Sequence, residues 1–253
     1  MTACNRWVLG GALILGAACS PGDSGVRTRT DDGTTRSPSG EAAAQRDHSM
    51  IRVVNANLSG PDVSLLADER VLFEKVGATE VTAYKELDEN AVRFSVRPSD
   101  QPSAAGESVN REVMADGQRY TAVVLPDDQG TMTGLRVLHD DLAPASGKAR
   151  IRVVHAAVGT GEVDVAIAGH ADDLFSGVNF GMEAGYKDVD PTTGTLEGRR
   201  KNEQLRLAQV KDMRLEAGTA YTVVIVGGPK VPLKAITFED QPVPATRDVG
   251  LAQ

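Results

Sequence analysis

Ile51-Arg52-Val53-Val54-Asn55-Ala56 and Ile151-Arg152-Val153-Val154-His155-Ala156 lie 100 residues apart and differ at a single position. The correspondence extends outward from this pair. Asp62-Val63-Ser64-Leu65 aligns with Asp164-Val165-Ala166-Ile167, and Leu72-Phe73 and Val76 align with Leu174-Phe175 and Val178. Tyr84-Lys85 then matches Tyr186-Lys187, and Gly117-Gln118-Arg119-Tyr120-Thr121 matches Gly218-Thr219-Ala220-Tyr221-Thr222. Ordered matches at one nearly constant offset identify an internal duplication of a single structural unit.

The repeated unit reads as β. Val163, Val165 and Ile167 alternate with Asp164, Ala166 and Ala168, the period of a strand with one buried face. Tyr120 to Leu125 and Tyr221 to Val226 are rich in β-branched residues, each run introduced by a glycine three positions earlier. Turn residues punctuate the chain at Ser59-Gly60-Pro61-Asp62, Asp127-Asp128-Gln129-Gly130, Pro191-Thr192-Thr193-Gly194 and Gly227-Gly228-Pro229. Short strands at this spacing predict an all-β fold of two tandem sandwich modules, at 49–145 and 148–245. The stretch Asn202 to Met213 fits a helix or a strand, and the alternation of Leu205, Leu207 and Gln209 with Arg206 and Ala208 favours the strand. Leu215-Glu216-Ala217-Gly218-Thr219-Ala220-Tyr221 and Met114-Ala115-Asp116-Gly117-Gln118-Arg119-Tyr120 resemble the approach to a tyrosine corner. There a Tyr hydroxyl bonds back to upstream backbone, so Tyr120 and Tyr221 are expected to be structural. The linker Ala143-Pro144-Ala145-Ser146-Gly147-Lys148 is short, which predicts modules held as a semi-rigid pair.

The first fifty residues have a different character. Arg6 is followed by an apolar run from Trp7 to Ala18, too short to span a bilayer comfortably and matching a secretory signal at 1–18. Leu15-Gly16-Ala17-Ala18-Cys19 resembles a bacterial lipobox, although Gly16 stands where that motif has Leu. The resemblance implies that Cys19 is acylated and becomes the mature N-terminus, anchoring the chain to a membrane. Plain signal cleavage and an uncleaved anchor are the alternatives. Ser20, rather than Asp, follows the cysteine, which points to an outer-membrane or cell-surface destination in the envelope. Between Ser20 and Asp47 the only large apolar residue is Val26. Such a segment cannot offset its ordering entropy, so 19–48 is expected to be a disordered stalk carrying lipidated Cys19.

Composition excludes several classes of function. The chain of 253 residues has a net charge of −8, so a nucleic-acid partner is not expected; Arg199-Arg200-Lys201 reads as a short solvated loop. Both cysteines, Cys4 and Cys19, precede the repeats, which removes disulfides, thiolate metal sites and thiol catalysis from them. His155 and Asp164 are the weak binding candidates, since a His on one strand and an Asp on a neighbouring one could orient a base or hold a metal. The counterpart of His155 is Asn55, which cannot act as a base, so a structural histidine is preferred. His139-Asp140-Asp141 and His170-Ala171-Asp172-Asp173 lack the spacing of a calcium loop and read as solvated turns. Asp188 and Asp190 share a strand face and read as edge charges that oppose aggregation. No metal, cofactor or catalytic residue is therefore expected.

Arg152-Val153-Val154-His155-Ala156, Val163-Asp164-Val165 and Glu216-Ala217-Gly218-Thr219-Ala220-Tyr221-Thr222-Val223-Val224 together resemble the bacterial domain-of-unknown-function family 4397. The resemblance spans about residues 50 to 245. It implies a secreted or lipid-anchored protein with tandem Ig-like or transthyretin-like modules, and no established activity. The family's His is Asn55 in the first repeat. Its Ser-Pro-Asp-Ala-like turn is replaced by Asn57-Leu58-Ser59-Gly60-Pro61 and by Ala157-Val158-Gly159-Thr160-Gly161. The expected function is a non-enzymatic envelope protein displaying its modules to a protein partner. The alternatives are a glycan-binding module, for which only four Tyr and five Phe are at hand once Trp7 is lost with the signal, and an envelope hydrolase.

Overall fold

A computed structural model of the chain describes residues 48–240 apart from 104–106, 109–110, 128–131, 202–205 and 229–230. The signal segment, Cys19 and all of the stalk but His48 lie outside the described residues, as does most of the turn read at Asp127–Gly130. Regular structure among the described residues is entirely β. The first half contains β1 (Ser49–Asn55), β2 (Val63–Ala67), β3 (Arg70–Val76), β4 (Lys85–Leu87), β5 (Ala91–Val92), β6 (Phe94–Pro98), β7 (Glu107–Ser108), β8 (Glu112–Val113), β9 (Arg119–Pro126) and β10 (Met132–His139). The second half contains β11 (Ala149–Ala157), β12 (Val163–Ile167), β13 (Asp173–Val178), β14 (Glu183–Val189), β15 (Thr192–Arg200), β16 (Arg206–Leu215), β17 (Ala220–Gly228) and β18 (Val231–Glu239).

The two halves share one connectivity. The sheet β4-β1-β9-β10 corresponds strand for strand to β14-β11-β17-β18, and β3-β2-β6-β7 to β13-β12-β15-β16. In each half the first strand runs parallel to the penultimate one, β1 beside β9 and β11 beside β17, with antiparallel neighbours around them. The pieces β5–β6 and β7–β8 of the first half correspond to the unbroken β15 and β16 of the second.

The strand period explains how the sheets stack. On β1, Ile51 and Val53 face one way, packing with Ala122 and Val124 against Val63, Leu65, Phe73 and Val96 of the other sheet. The second half repeats this with Ile151, Val153, Val223 and Ile225 against Val163, Val165, Phe175 and Leu196. The opposite faces form a third core: Val54, Ala56, Val123 and Leu125 meet Val154, Ala156, Val224 and Val226. Four sheets are therefore layered, and the two central ones are covered on both faces. This is why β1, β11 and most of β9 and β17 are buried at successive residues rather than alternately. Each buried valine adds about 1.5–3 kcal/mol relative to exposure.

Several sequence expectations change in detail. Residues 206–213 of the segment undecided between helix and strand lie in β16, a strand whose Ala208 and Val210 share one face of the β15–β16 ladder with Leu196 and pack into the second core; 202–205 lie outside the described residues. The counterpart of β16 in the first half is β7–β8. Val63 pairs with Val76 and Val163 with Val178, so Val63 matches Val163 and Asp164 matches Ser64 rather than Asp62. The two additional residues in the second half sit in the turn between β12 and β13. Arg199 and Arg200 close strand β15 and are half-buried, not looped out, because Arg199 pairs with Glu197 across the strand surface. Thr192 to Gly194 begins that strand rather than forming a turn. Asp140 is not in a solvated turn; its carboxylate is fully buried. Asp188 and Asp190 do lie on the edge strand β14 and just after it, ion-paired to Arg150 and Lys148 respectively.

Candidate functional site

His155 lies on β11 between Val154 and Ala156 and is fully buried. Its neighbours assign the tautomer. The Ala157 N–H donates to Nδ1 at 3.1 Å, leaving the ring proton on Nε2 to be donated to the Gly161 carbonyl at 2.9 Å. Thr160 Oγ1 lies 3.1 Å from Nε2 and donates its own proton to the Ala157 carbonyl. Burial holds the imidazole below its usual pKa, opposed by the Gly161 carbonyl, so the ring is neutral at pH 7. Asn55 does the same work in the first half: its Oδ1 accepts from Asn57 N–H at 3.1 Å and its Nδ2 donates to the Val76 carbonyl at 3.0 Å. Both side chains accept from the backbone two residues on and donate to a nearby carbonyl, holding the chain as it leaves the central strand.

Asp164 does not meet His155. Its Oδ1 accepts from Ser176 Oγ at 2.9 Å and from the Gly177 N–H at 2.7 Å. The pairing that would orient a base is absent because Asp164 points across β12 to the bulge in β13. Tyr120 and Tyr221 each accept a backbone N–H five residues upstream, from Ala115 and Glu216, both at 3.0 Å. Gly117 and Gly218 take positive φ (72° and 82°) within these corners. Cys19 lies outside the described residues.

The densest polar constellation is one the sequence reading passed over. Arg52 and Arg152 project into the layer between the two halves. Arg52 Nε donates to Thr121 Oγ1 of its own half at 2.9 Å, and its Nη2 pairs with Asp240 of the other half. Arg152 repeats this: Nε donates to Thr222 Oγ1 at 2.8 Å and Nη2 pairs with Asp140. Each Asp also accepts from its own half. Thr121 and Tyr84 donate to Asp140, and Thr222 and Tyr186 to Asp240, at 2.6–2.9 Å. Arg52 stacks on Tyr84 at 4.6 Å from the ring centroid, and Arg152 on Tyr186 at 4.7 Å.

Both arginine side chains are at most 5% exposed and both carboxylates are 0% exposed. Burial works against the Arg152 charge, but Asp140, Tyr186, Asp240 and Glu183 outweigh it and raise its pKa. Burial raises the Tyr84 and Tyr186 pKa values, aided by the carboxylates and opposed by the arginines. Two cations, two carboxylates and four hydroxyls thus satisfy one another. The cluster is a fixed structural junction and offers no free base. The signal was in the sequence, since Arg52/Arg152, Tyr84/Tyr186 and Thr121/Thr222 are all identical between repeats.

The surface carries a different feature. Phe180 and Met182, in the turn from β13 to β14, are 40% and 50% exposed. The turn is pinned to His155: the Gly181 N–H donates to the His155 carbonyl at 2.8 Å and the His155 N–H to the Met182 carbonyl at 3.0 Å. The Phe180 ring meets the His155 ring edge-on at 6.1 Å. Counting back through Gly181 and Thr79, which share a positive φ, the first half has Ala78 and Glu80 at these places. All four Tyr hydroxyls are used within the fold, and Phe73, Phe94 and Phe175 are buried. An open groove of about 460 Å³ lies beside Pro61, Asp62, Lys75, Ser99 and Asp100. Among the described residues no three His, Cys, Asp or Glu side chains converge as metal ligands.

The family model described as a domain of unknown function (DUF4397) matches residues 49–166. No curated protein matches the chain. Among solved structures, one from Bacteroides uniformis described as a candidate cell adhesion protein is similar at 10% identity and a TM-score of 0.22. The match covers 76% of this chain and 97% of that one.

Proposed function

We propose that the chain is a non-enzymatic, lipid-anchored protein of the cell envelope, acylated at Cys19, that displays two duplicated β-sandwich modules, 49–145 and 148–245, to a protein partner. The observation that carries this reading is the rigid apolar tip at Phe180 and Met182. An exposed Phe and Met two residues apart on a turn tied down by three backbone bonds form a preorganised contact, a larger apolar pair than the singly exposed Val71 and Val113.

The position of the tip fits the proposed anchor. The stalk enters at Ser49, the start of β1, whereas a Cβ on Gly181 would stand 3.4 Å from Leu125, at the far end of β9 beside Asn55 and Ala56. Seven residues of strand, roughly 20 Å, separate the tethered end from the tip. The groups that would serve hydrolysis are committed elsewhere, His155 to backbone and Asp140 to Arg152, which weighs against the enzyme alternative.

A photo-reactive phenylalanine analogue at position 180, with the same group at 78 as the control, tests the interaction. A defined envelope protein captured from 180 and not from 78, and lost when Met182→Ser is added, is the expected result. Equal capture from both positions, or none, removes the tip as the contact. Separately, Cys19→Ala should release a folded protein from the membrane fraction, and its retention there would count against lipidation.

A further inference from the structure

We propose that the outer face of each central sheet is self-complementary, so that the partner it fits, besides the opposite half, is the same face on a second copy of this chain. The proposal rests on reading the halves as repeated modules, and is independent of the tip at Phe180 and Met182. The contact between the halves is reciprocal: Arg52 reaches Asp240 while Arg152 reaches Asp140. Residue i touching j while the counterpart of j touches the counterpart of i is the signature of an isologous, two-fold interface. Each face carries its own arginine and its own carboxylate, both held by equivalent Thr and Tyr hydroxyls. Two first-half faces brought together would therefore make Arg52–Asp140 twice, and two second-half faces Arg152–Asp240 twice.

The apolar part of the interface has the same property. Val54, Ala56, Val123 and Leu125 on one face are met by Val154, Ala156, Val224 and Val226 on the other, nearly the same set of shapes. The differences lie on the outer strands: Phe238 stands in place of Leu138 and stacks on Arg52 at 4.4 Å, Ile236 stands in place of Arg136, and Val81 in place of Glu183. Within one chain the short connection Asp141 to Lys148 keeps the opposite half at an effective concentration of roughly millimolar, which favours the internal pairing. Like-with-like pairing between chains is the arrangement available when that internal contact is made unfavourable.

Reversing one face tests this in the full chain, carrying Cys19→Ala to keep it in solution. In Arg152→Asp/Asp240→Arg, Arg52 faces a cation and Asp140 an anion within the molecule, yet each face still matches a second copy of itself. The expected result is a folded species of twice the wild-type mass by light scattering. Adding Arg52→Asp/Asp140→Arg restores internal complementarity and should return the mass to that of one chain. A double variant that stays at the mass of one chain, folded or unfolded, overturns the proposal. A fourfold variant that fails to fold instead sinks the equivalence of the two faces on which the proposal depends. Neither outcome alters the expected capture at position 180.

Discussion

Arg52 and Arg152 occupy the same place in the two halves and reach across to each other's carboxylates, yet their surroundings differ. Arg152 adds bonds to the His139 carbonyl at 3.2 Å and to Thr121 Oγ1 at 3.3 Å, with Glu183 at 3.5 Å, and is wholly enclosed. Arg52 instead lies between the rings of Tyr84 and Phe238 and keeps a little exposure. The duplicated strand fixes where a charged side chain sits. The facing sheet decides whether its remaining donors meet oxygen or aromatic rings.

The largest expected effect follows from that difference. Removing one member of a buried ion pair leaves the other uncompensated and costs about 3–5 kcal/mol. Arg152→Ala should fall at the upper end and Arg52→Ala below it in urea unfolding, because truncating Arg152 also strands the His139 carbonyl and leaves Glu183 without its cation. Equal losses would show that the extra contacts of Arg152 are idle.

Lys75 and Gly177 come next. Both have positive φ (53° and 68°) at the same bulge, one with a side chain and one without. Gly177→Lys should destabilise by about 1–2 kcal/mol, since left-handed backbone disfavours a Cβ. A Cβ there would also lie 3.0 Å from Glu162 Oε2 and 3.2 Å from Lys201 Nζ, which form an ion pair. Lys75→Gly should be neutral or stabilising by less than about 1 kcal/mol. A loss in the second exchange would mean that the Lys75 side chain has a role its open setting does not suggest.

The Tyr120 and Tyr221 hydroxyls make the same backbone bond and differ in burial. Tyr221→Phe should cost about 1 kcal/mol in thermal unfolding, and Tyr120→Phe less, because the Tyr120 hydroxyl bond is the more exposed of the two.

The smallest effect concerns pH. His155 has a lowered pKa in the folded state, so the unfolded chain takes up the proton first on acidification. Its contribution is present above the unfolded value of 6.5 and is lost as pH falls below it. His155→Asn, which copies Asn55, should flatten the loss of stability just below pH 6.5 relative to wild type. An unchanged slope would place the proton-linked group elsewhere.

Much of this architecture was legible in the residues. The duplication, the β period and the glycine-led tyrosine approaches are local or self-comparative signals, and a strand that must bury one face writes them directly into the chain. Arg52 and Arg152 were visible as identities within those signals, but an arginine in a strand ordinarily faces water. Their burial depends on a second sheet covering the outer face of the first. Asp140 was misread for the same reason, since Asp after a strand is the composition of a solvated turn until another half closes over it. The separation of His155 from Asp164 came from the partners each side chain meets, His155 the Ala157 N–H and the Gly161 carbonyl and Asp164 the bulge of β13, which the alternation of residues along β12 does not specify.

By itself, then, the sequence determined an all-β chain with an internal repeat and most of the strands of each copy, because periodicity and composition are properties of neighbours along the chain. Only the tertiary structure decided that the two copies share a core, that their arginines exchange carboxylates and that Phe180 and Met182 remain at the surface. Those outcomes depend on which face of one sheet is removed from water by another, and no local stretch of residues carries that information.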